Sequence, residues 1–350
     1  MRDASGKIGF LDGQFKLAIP PRFYFVGESS EELISAKEAG KMGFLDVHGQ
    51  WAISPAFVEA AAFSEGLAAA GVNESGRLRF GFIDRSGKWA VPAQFEAADS
   101  FREGLARVKA GGVEQYLDHA GKVAFTTPGS FSYGFRGGLT RVVQKEAFGY
   151  ADAQGKLSIP ARFKQASDFF EGLAAVEVGG RWGFIDVKGA WRVQPRFVLA
   201  NHFSAGRAVV ALSEHEFAFI SPDGKLSESY LLASDYQNGY AGVLVRAANG
   251  GERWGFVNAR GALAVEPRFE KFEGGFREGL VAVAEPGQDF GYIDERGEYV
   301  IPPHFTFALE FVNGIAWVQQ RTPAGGNEFG YIDRSGAFVY GPFPFRQDRP

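Results

Sequence analysis

Six aspartates, Asp46, Asp84, Asp152, Asp186, Asp294 and Asp333, recur at one place in a repeated heptapeptide. A file of carboxylates at fixed spacing is what a row of general acids or calcium ligands would leave in a sequence. Each stands three residues before a glycine, as in GFLDVHG at 43, GFIDRSG at 81, GYADAQG at 149, GFIDVKG at 183, GYIDERG at 291 and GYIDRSG at 330. Asp-x-x-Gly is turn chemistry, because the carboxylate accepts backbone amides two residues on and glycine takes the left-handed position. Turn capping therefore accounts for the aspartates. The glutamate that precedes Gly-Leu (Glu65, Glu103, Glu171, Glu278) is read likewise as an exposed turn residue.

The five histidines share no ligand spacing. His48 and His119 fall at hairpin tips, His304 replaces an Arg or Gln of other copies, and His202 and His215 occupy unlike positions. There is no phosphate-binding glycine loop, nucleophile elbow or zinc signature, and the absence of cysteine excludes disulfides and thiolate sites. The expectation is a chain with no catalytic, cofactor or metal site, and hence not an enzyme.

The elements that carry these residues follow from composition and period. The 350 residues include 35 Phe and 47 Gly but only two Met, a mixture that favours many short strands joined by tight turns. A net charge of −4 leaves no cation excess to displace counterions from a phosphate backbone, so nucleic acid is not an expected partner. No apolar run is long enough to span a bilayer as a helix, so membrane insertion is not expected either. Without a leader in the chain as given, the expected compartment is cytoplasmic, with periplasm or cell surface as the alternative if a leader has been removed.

Three weaker anchors, GFLDGQF at 9, QYLDHAG at 115 and AFISPDG at 218, and GFVNARG at 255 complete the series. Anchor-to-anchor spacings are 34, 38, 34, 34, 34, 35, 37, 36 and 39. Eleven residues after the acidic position stands a phenylalanine (Phe23, Phe57, Phe95, Phe163, Phe197, Phe269, Phe305), with proline close before it. A second aromatic follows in most copies (Phe63, Phe101, Phe169, Phe203, Phe276, Phe311), then Glu-Gly and an alternating Leu-Ala-x-Val segment. Each copy predicts three short antiparallel strands: Leu-Ala-x-Val, the anchor, and the segment that proline ends.

A lone copy buries far too little apolar surface to offset the ordering of some 36 residues, so copies must stack. The expected fold is all-β: one continuous array over 1–350, of small three-stranded units stacked into an open twisted solenoid, with a β-propeller or closed ring as the alternative. Approximate units are 8–40, 41–78, 79–112, 113–146, 147–180, 181–215, 216–252, 253–288, 289–327 and an incomplete 328–345.

The segments Arg181-Trp182-Gly183-Phe184-Ile185-Asp186 and Arg253-Trp254-Gly255-Phe256, with Pro-x-x-Phe and Glu-Gly-Leu-Ala beyond, resemble the WG (KWG) repeat of bacterial proteins over nearly the whole chain. That resemblance implies a bacterial source and a role in interactions, and it brings no catalytic residues. Tryptophan precedes the glycine in only two copies. Met42, Phe80, Phe148, Phe290 and Phe329 stand there in others, which points to a generic apolar contact.

Length varies at one place, between the first and second strands, where long tips occur at 71–79, 247–253, 284–289 and 321–328. Insertions on one face of a repeat array mark a binding side. The candidate partner-binding residues there are Asn73, Glu74, Arg77, Arg79, Asn249, Glu252, Gln288, Asp289, Arg321, Asn327 and Glu328. The units 113–146 and 216–252 lose Pro-x-x-Phe, and the second adds three tyrosines off the pattern, Tyr230, Tyr236 and Tyr240. The expected function is a non-enzymatic scaffold that binds protein through its hairpin tips. Alternatives are an immunity protein that neutralises a toxin, and a carbohydrate or cell-wall binder.

Overall fold

The computed structural model describes residues 6–12, 16–127, 131–248 and 250–344. Every regular element among them is a β-strand, and no helix is long and apolar enough to cross a membrane. The chain forms two compact units, residues 1–179 with 186–190, and 180–185 with 191–350.

The first unit opens with the pair Ile8–Leu11 and Leu17–Phe23. Three four-stranded antiparallel sheets that follow run Phe25–Ser30, Leu33–Glu38, Lys41–Leu45, Trp51–Phe57; Glu59–Ala60, Leu67–Glu74, Arg77–Asp84, Trp89–Phe95; and Ala97–Ala98, Ala106–Ala110, Val113–Leu117, Val123–Thr126. A fourth comprises Phe131–Ser132, Leu139–Gln144, Ala147–Asp152 and Leu157–Phe163, and the pair Gln165–Ala166 with Leu173–Val178 comes last. In the second unit, Arg181–Asp186 pairs with Trp191–Phe197. Next come the sheets Leu199–Ala200, Ala208–Ser213, Glu216–Ile220, Leu226–Tyr230 and Leu232–Ala233, Tyr240–Arg246, Glu252–Asn258, Leu263–Phe269. A seven-stranded sheet from Lys271–Arg277 to Phe338–Pro344 ends it, its middle strand, Tyr299–Ala308, running through what is elsewhere a break.

Two expectations need correction. The module is four-stranded, because a short outer strand, two residues long in most sheets, follows each Phe and pairs with the Leu-Ala-x-Val strand. Proline does not end the third strand: Trp89–Phe95 contains Pro92 and continues to Phe95. The ladder absorbs the proline as a bulge. Met42 pairs with Phe57 while Phe44 pairs with Ile53, so two residues of the anchor strand face four of its partner.

That bulge explains the anchor glycine. A β-carbon on Gly43 would lie 2.6 Å from the Ile53 carbonyl oxygen, and on Gly183 2.6 Å from that of Val193, with backbone that cannot step aside. The same approach recurs at Gly149, Gly255 and Gly291, so the glycine is needed for space and not for a turn. The two sheets lacking Pro-x-x-Phe have Gln115 and Ala218 at this place. There the wide bulge is absent: Gln115 pairs with Thr126 and Tyr116 with Phe125, Phe217 with Tyr230 and Ala218 with Ser229, and only a one-residue shift remains toward the turn. Glycine and proline are lost together because the bulge is the only reason for the glycine.

Both faces of a sheet are apolar. Ala68, Ala70 and Ile83 pack with Phe44, Ile53 and Phe57 of the preceding sheet, while Leu67, Ala69 and Phe82 pack with Phe101, Ala106 and Val108 of the next. Strand periodicity of two sends alternate residues into different cores. The cores therefore lie between sheets, as in the second unit, where Phe256, Val265 and Phe269 meet Phe276, Val281 and Val283. Each residue preceding an anchor glycine opposes the third-strand Phe, as Met42 does Phe57 and Trp254 does Phe269, so that place needs apolar bulk and not specifically tryptophan.

Gly43→Ala is expected to cost about 1–3 kcal/mol or more through the forced backbone shift. Gln115→Gly, where the wide bulge is absent, is expected to cost only about 0.5–1 kcal/mol. Urea denaturation of the two variants against the parent chain checks the contrast.

Candidate functional site

Each sheet has two unlike ends. One carries the Glu-Gly turn before the first strand and the Asp-x-x-Gly turn after the second; the other carries the tip joining those two strands.

At the turn end the carboxylates are occupied. Asp46 Oδ1 accepts the amides of His48 and Gln50, both at 2.9 Å, and the Gly49 amide donates to the Asp46 carbonyl at 2.9 Å. Asp152, Asp186, Asp294 and Asp333 repeat this arrangement, and Asn258 substitutes for them with its side-chain oxygen. The Ser86 hydroxyl, joined by the amides of Lys88 and Ser86 against some desolvation, holds the Asp84 carboxyl below its ordinary value. The Ser335 hydroxyl does the same for Asp333.

The glutamates do more than sit in an exposed turn. Glu65 and Gly66 both have positive φ, 56° and 83°, and close a two-residue turn between Ser64 and Leu67. The Glu65 carboxylate reaches into the next turn, accepting the Gly104 amide at 3.0 Å. Glu31 accepts the Gly66 amide in the same way, and Glu103 takes the amides of Gly137 and Gly138 at 2.7 and 2.8 Å. In the second compact unit Glu278 accepts the Gly314 amide at 3.0 Å. The turn end is thus a hydrogen-bonded chain from sheet to sheet, which a single-copy reading of the sequence misses.

The tips vary. Leu67–Glu74 and Arg77–Asp84 extend their ladder out to a Glu74–Arg77 pair, leaving Asn73, Glu74 and Arg77 exposed and Arg79 half-buried nearer the base. In the second compact unit, the ladder of Ile315–Arg321 and Asn327–Asp333 ends on the pair Arg321–Asn327, and Gln320 Nε2 donates to Glu328 at 2.6 Å. Glu252 is exposed opposite Arg246. Gln288 is exposed in the neighbouring tip, whose Asp289 pairs with Arg321 at 3.6 Å. Consecutive tips of that sheet are thereby brought together. Asn249 lies outside the described residues.

The three tyrosines do not stand off the pattern. Tyr236 is buried and takes the place of the second aromatic, its ring 4.9 Å from Phe219 and its hydroxyl donating to the Asn258 carbonyl at 3.0 Å. Burial pushes its hydroxyl up to about 12. Tyr230 opposes Phe217 where other sheets have the Pro-x-x-Phe phenylalanine, and Tyr240 fills the Leu position after the turn, 4.6 Å from Phe276. Both are half-buried, and burial raises both hydroxyls, so neither titrates near neutrality.

Sequence reasoning missed one further feature. Beside the irregular strand Leu226–Tyr230 lies a cavity of about 490 Å³ lined by Arg207, Lys225, Tyr230, Arg260 and Pro267 among others. The lost Pro-x-x-Phe was its only signal.

Fold and turns together define a tandem-repeat protein of small antiparallel sheets. The family model described as WG containing repeat matches residues 8–41, 42–74, 80–113, 148–182, 182–212, 254–285 and 290–321, and the chain belongs to that family. This is a non-catalytic type of repeat. The unmatched internal stretches include the proline-free strands Val123–Thr126 and Leu226–Tyr230 of the two irregular sheets. No curated protein matches the sequence. Among solved structures, BamB from Moraxella catarrhalis is similar at 12% identity and a TM-score of 0.40, over 85% of this chain and 93% of that one. The computationally designed Ika8 protein is similar at 13% identity and a TM-score of 0.34, over 88% and 96%.

Glu103→Gln, which keeps the strained backbone and one acceptor, is expected to cost about 1 kcal/mol in urea denaturation. For Asp84 the folded carboxyl holds its proton less readily than the unfolded one. Its contribution is therefore present above the ordinary carboxylate value of ~3.9 and fades as pH falls through the lower folded value. Asp84→Asn keeps the turn acceptor and loses that titration. Any stability advantage of the parent over the variant at neutral pH is expected to shrink by pH 3, measured by parallel denaturant titrations.

Proposed function

We propose that the chain is a non-enzymatic scaffold that binds protein through its hairpin tips. The observation carrying this reading is the contrast between the two sheet ends: turns of fixed length whose aspartates cap their own amides and whose Glu31, Glu65, Glu103 and Glu278 bond the next turn, against tips of variable length with exposed mixed charge. Evolution of a partner surface needs positions that change without disturbing the cores, and the tips are such positions. The Asp289–Arg321 pair supports it further, since two neighbouring tips present a joint polar surface. An open stack of sheets fits this role, because it leaves the tips uncovered.

Exchanging 71–79 and 321–328 for the short form of the 34-residue copies tests the reading. Affinity for a partner identified by cross-linking is expected to fall by at least about tenfold, or about 1.4 kcal/mol. Unchanged affinity in both exchanges, with fold retained by circular dichroism, would reject the tips as the binding surface.

A further inference from the structure

The regular third strands each carry proline: Pro20 and Pro21, Pro55, Pro92, Pro160, Pro195, Pro267, Pro302 and Pro303, Pro342 and Pro344. Proline lacks the amide that an incoming strand would use, and the bulge twists the edge away, so the proline-bearing stretches are protected against adding another strand; Tyr299–Ala308 pairs onward with Ile315–Arg321 only beyond its prolines, from Phe305 to Ala308. Leu226–Tyr230 is the terminal strand of its sheet and contains no proline. Its Glu228 and Ser229 are exposed, and its ladder lacks the wide bulge.

Two cavities meet at Tyr230 and Val245. The one of about 490 Å³ presents Arg207, Lys225 and Arg260 against a single acid, Glu228. The second, about 460 Å³, includes His215, Ser229 and Arg246 with Glu216. Lys225 has the exposed Asp223 carboxylate two residues away, a carboxyl lowered first by the Ser221 hydroxyl and further by the Lys225 charge, whereas Arg207 is held by the carbonyls of Ala259 and Arg260 at 3.2 and 3.0 Å. A cation excess here, in a chain of net charge −4, is a local departure that favours an acidic ligand.

We propose that an extended acidic peptide segment adds as a strand to the edge Leu226–Tyr230, its backbone pairing with the open edge and its alternate side chains entering the two cavities. Main-chain pairing supplies affinity in such a site, and the pockets and cations supply selection. The surface is centred on an edge strand and borders two hairpin tips at His215 and Arg246, but it does not include the tips 71–79 and 321–328 and does not depend on their role.

The probe is a fluorescein-labelled, capped heptapeptide of alternating Val and Glu, followed by anisotropy on the full chain. Binding is expected to weaken at least about tenfold in Ser229→Pro, and similarly in the double reversal Lys225→Glu with Arg260→Glu. The same peptide with Lys for Glu is expected not to bind. Shortening the 321–328 tip is expected to leave peptide affinity unchanged, which separates this site from the tip reading. Should Ser229→Pro fail to fold, the charge reversal and slowed amide exchange over 226–230 in the peptide-bound parent chain decide. No binding at millimolar peptide, equal binding of the Lys peptide, or no slowing at 226–230 overturns the proposal.

Discussion

An aromatic contact between consecutive copies is the interaction on which the rest depends. The ring of the anchor strand meets the second aromatic of the following copy: Phe44 with Phe63 at 4.8 Å, Phe82 with Phe101 at 4.8 Å and Phe184 with Phe203 at 4.9 Å between sheets, and Tyr292 with Phe311 at 4.9 Å within the seven-stranded sheet, where two copies are joined. The irregular sheets keep it, as Tyr116 with Phe135 and Phe219 with Tyr236. Such tilted pairs contribute beyond their buried area. Where the anchor ring is tyrosine, its hydroxyl also donates to a carbonyl of the next copy, Tyr150 to Ser167 at 2.7 Å and Tyr292 to Leu309 at 2.8 Å. No single copy can make this contact alone, which is why the copies fold only as neighbours.

Within a sheet the governing constraint is steric. Proline in the third strand forces a bulge, the bulge presses backbone onto the anchor strand, and only glycine fits beneath it. The two motifs that look independent along the chain, the anchor glycine and Pro-x-x-Phe, are therefore two halves of one contact. Sheets that dropped one half dropped the other, and kept the aromatic pair that the stack requires.

Much of this was legible in the residues. The period, the anchor and the Asp turn follow from spacing and local chemistry, because each is decided within a few residues. The short outer strand was not, since a dipeptide such as Glu59–Ala60 has no periodicity to detect and becomes a strand only by pairing with Gly71 and Ala70. The Glu65–Gly104 link was hidden for another reason: its partners are 39 residues apart, and nothing in either turn alone names the other. Tyr236 was misplaced because the count from its anchor is two residues shorter than in Phe82–Phe101, although its ring does the same work. Of the candidate tip residues, Asn73, Glu74, Arg77, Glu252, Gln288 and Arg321 are exposed and Arg79, Asp289, Asn327 and Glu328 half-buried, and the Asp289–Arg321 pairing needed the third dimension.

The division of labour between sheet ends follows from what each end must satisfy. At the turn end two kinds of turn converge, the Asp turn closed on its own amides and the Glu-Gly turn with a carboxylate committed to the next turn, so an inserted residue there would break fixed contacts. At the tip end a hairpin can lengthen by whole ladder rungs, as Leu67–Glu74 with Arg77–Asp84 does, each new rung closing its own backbone pairs. Lengthening costs the cores nothing, since the added side chains lie beyond both neighbouring sheets' apolar faces. Variation therefore collects at the tips for a physical reason that operates whether or not a partner is bound, and recognition can exploit a freedom that the stacking had already left open.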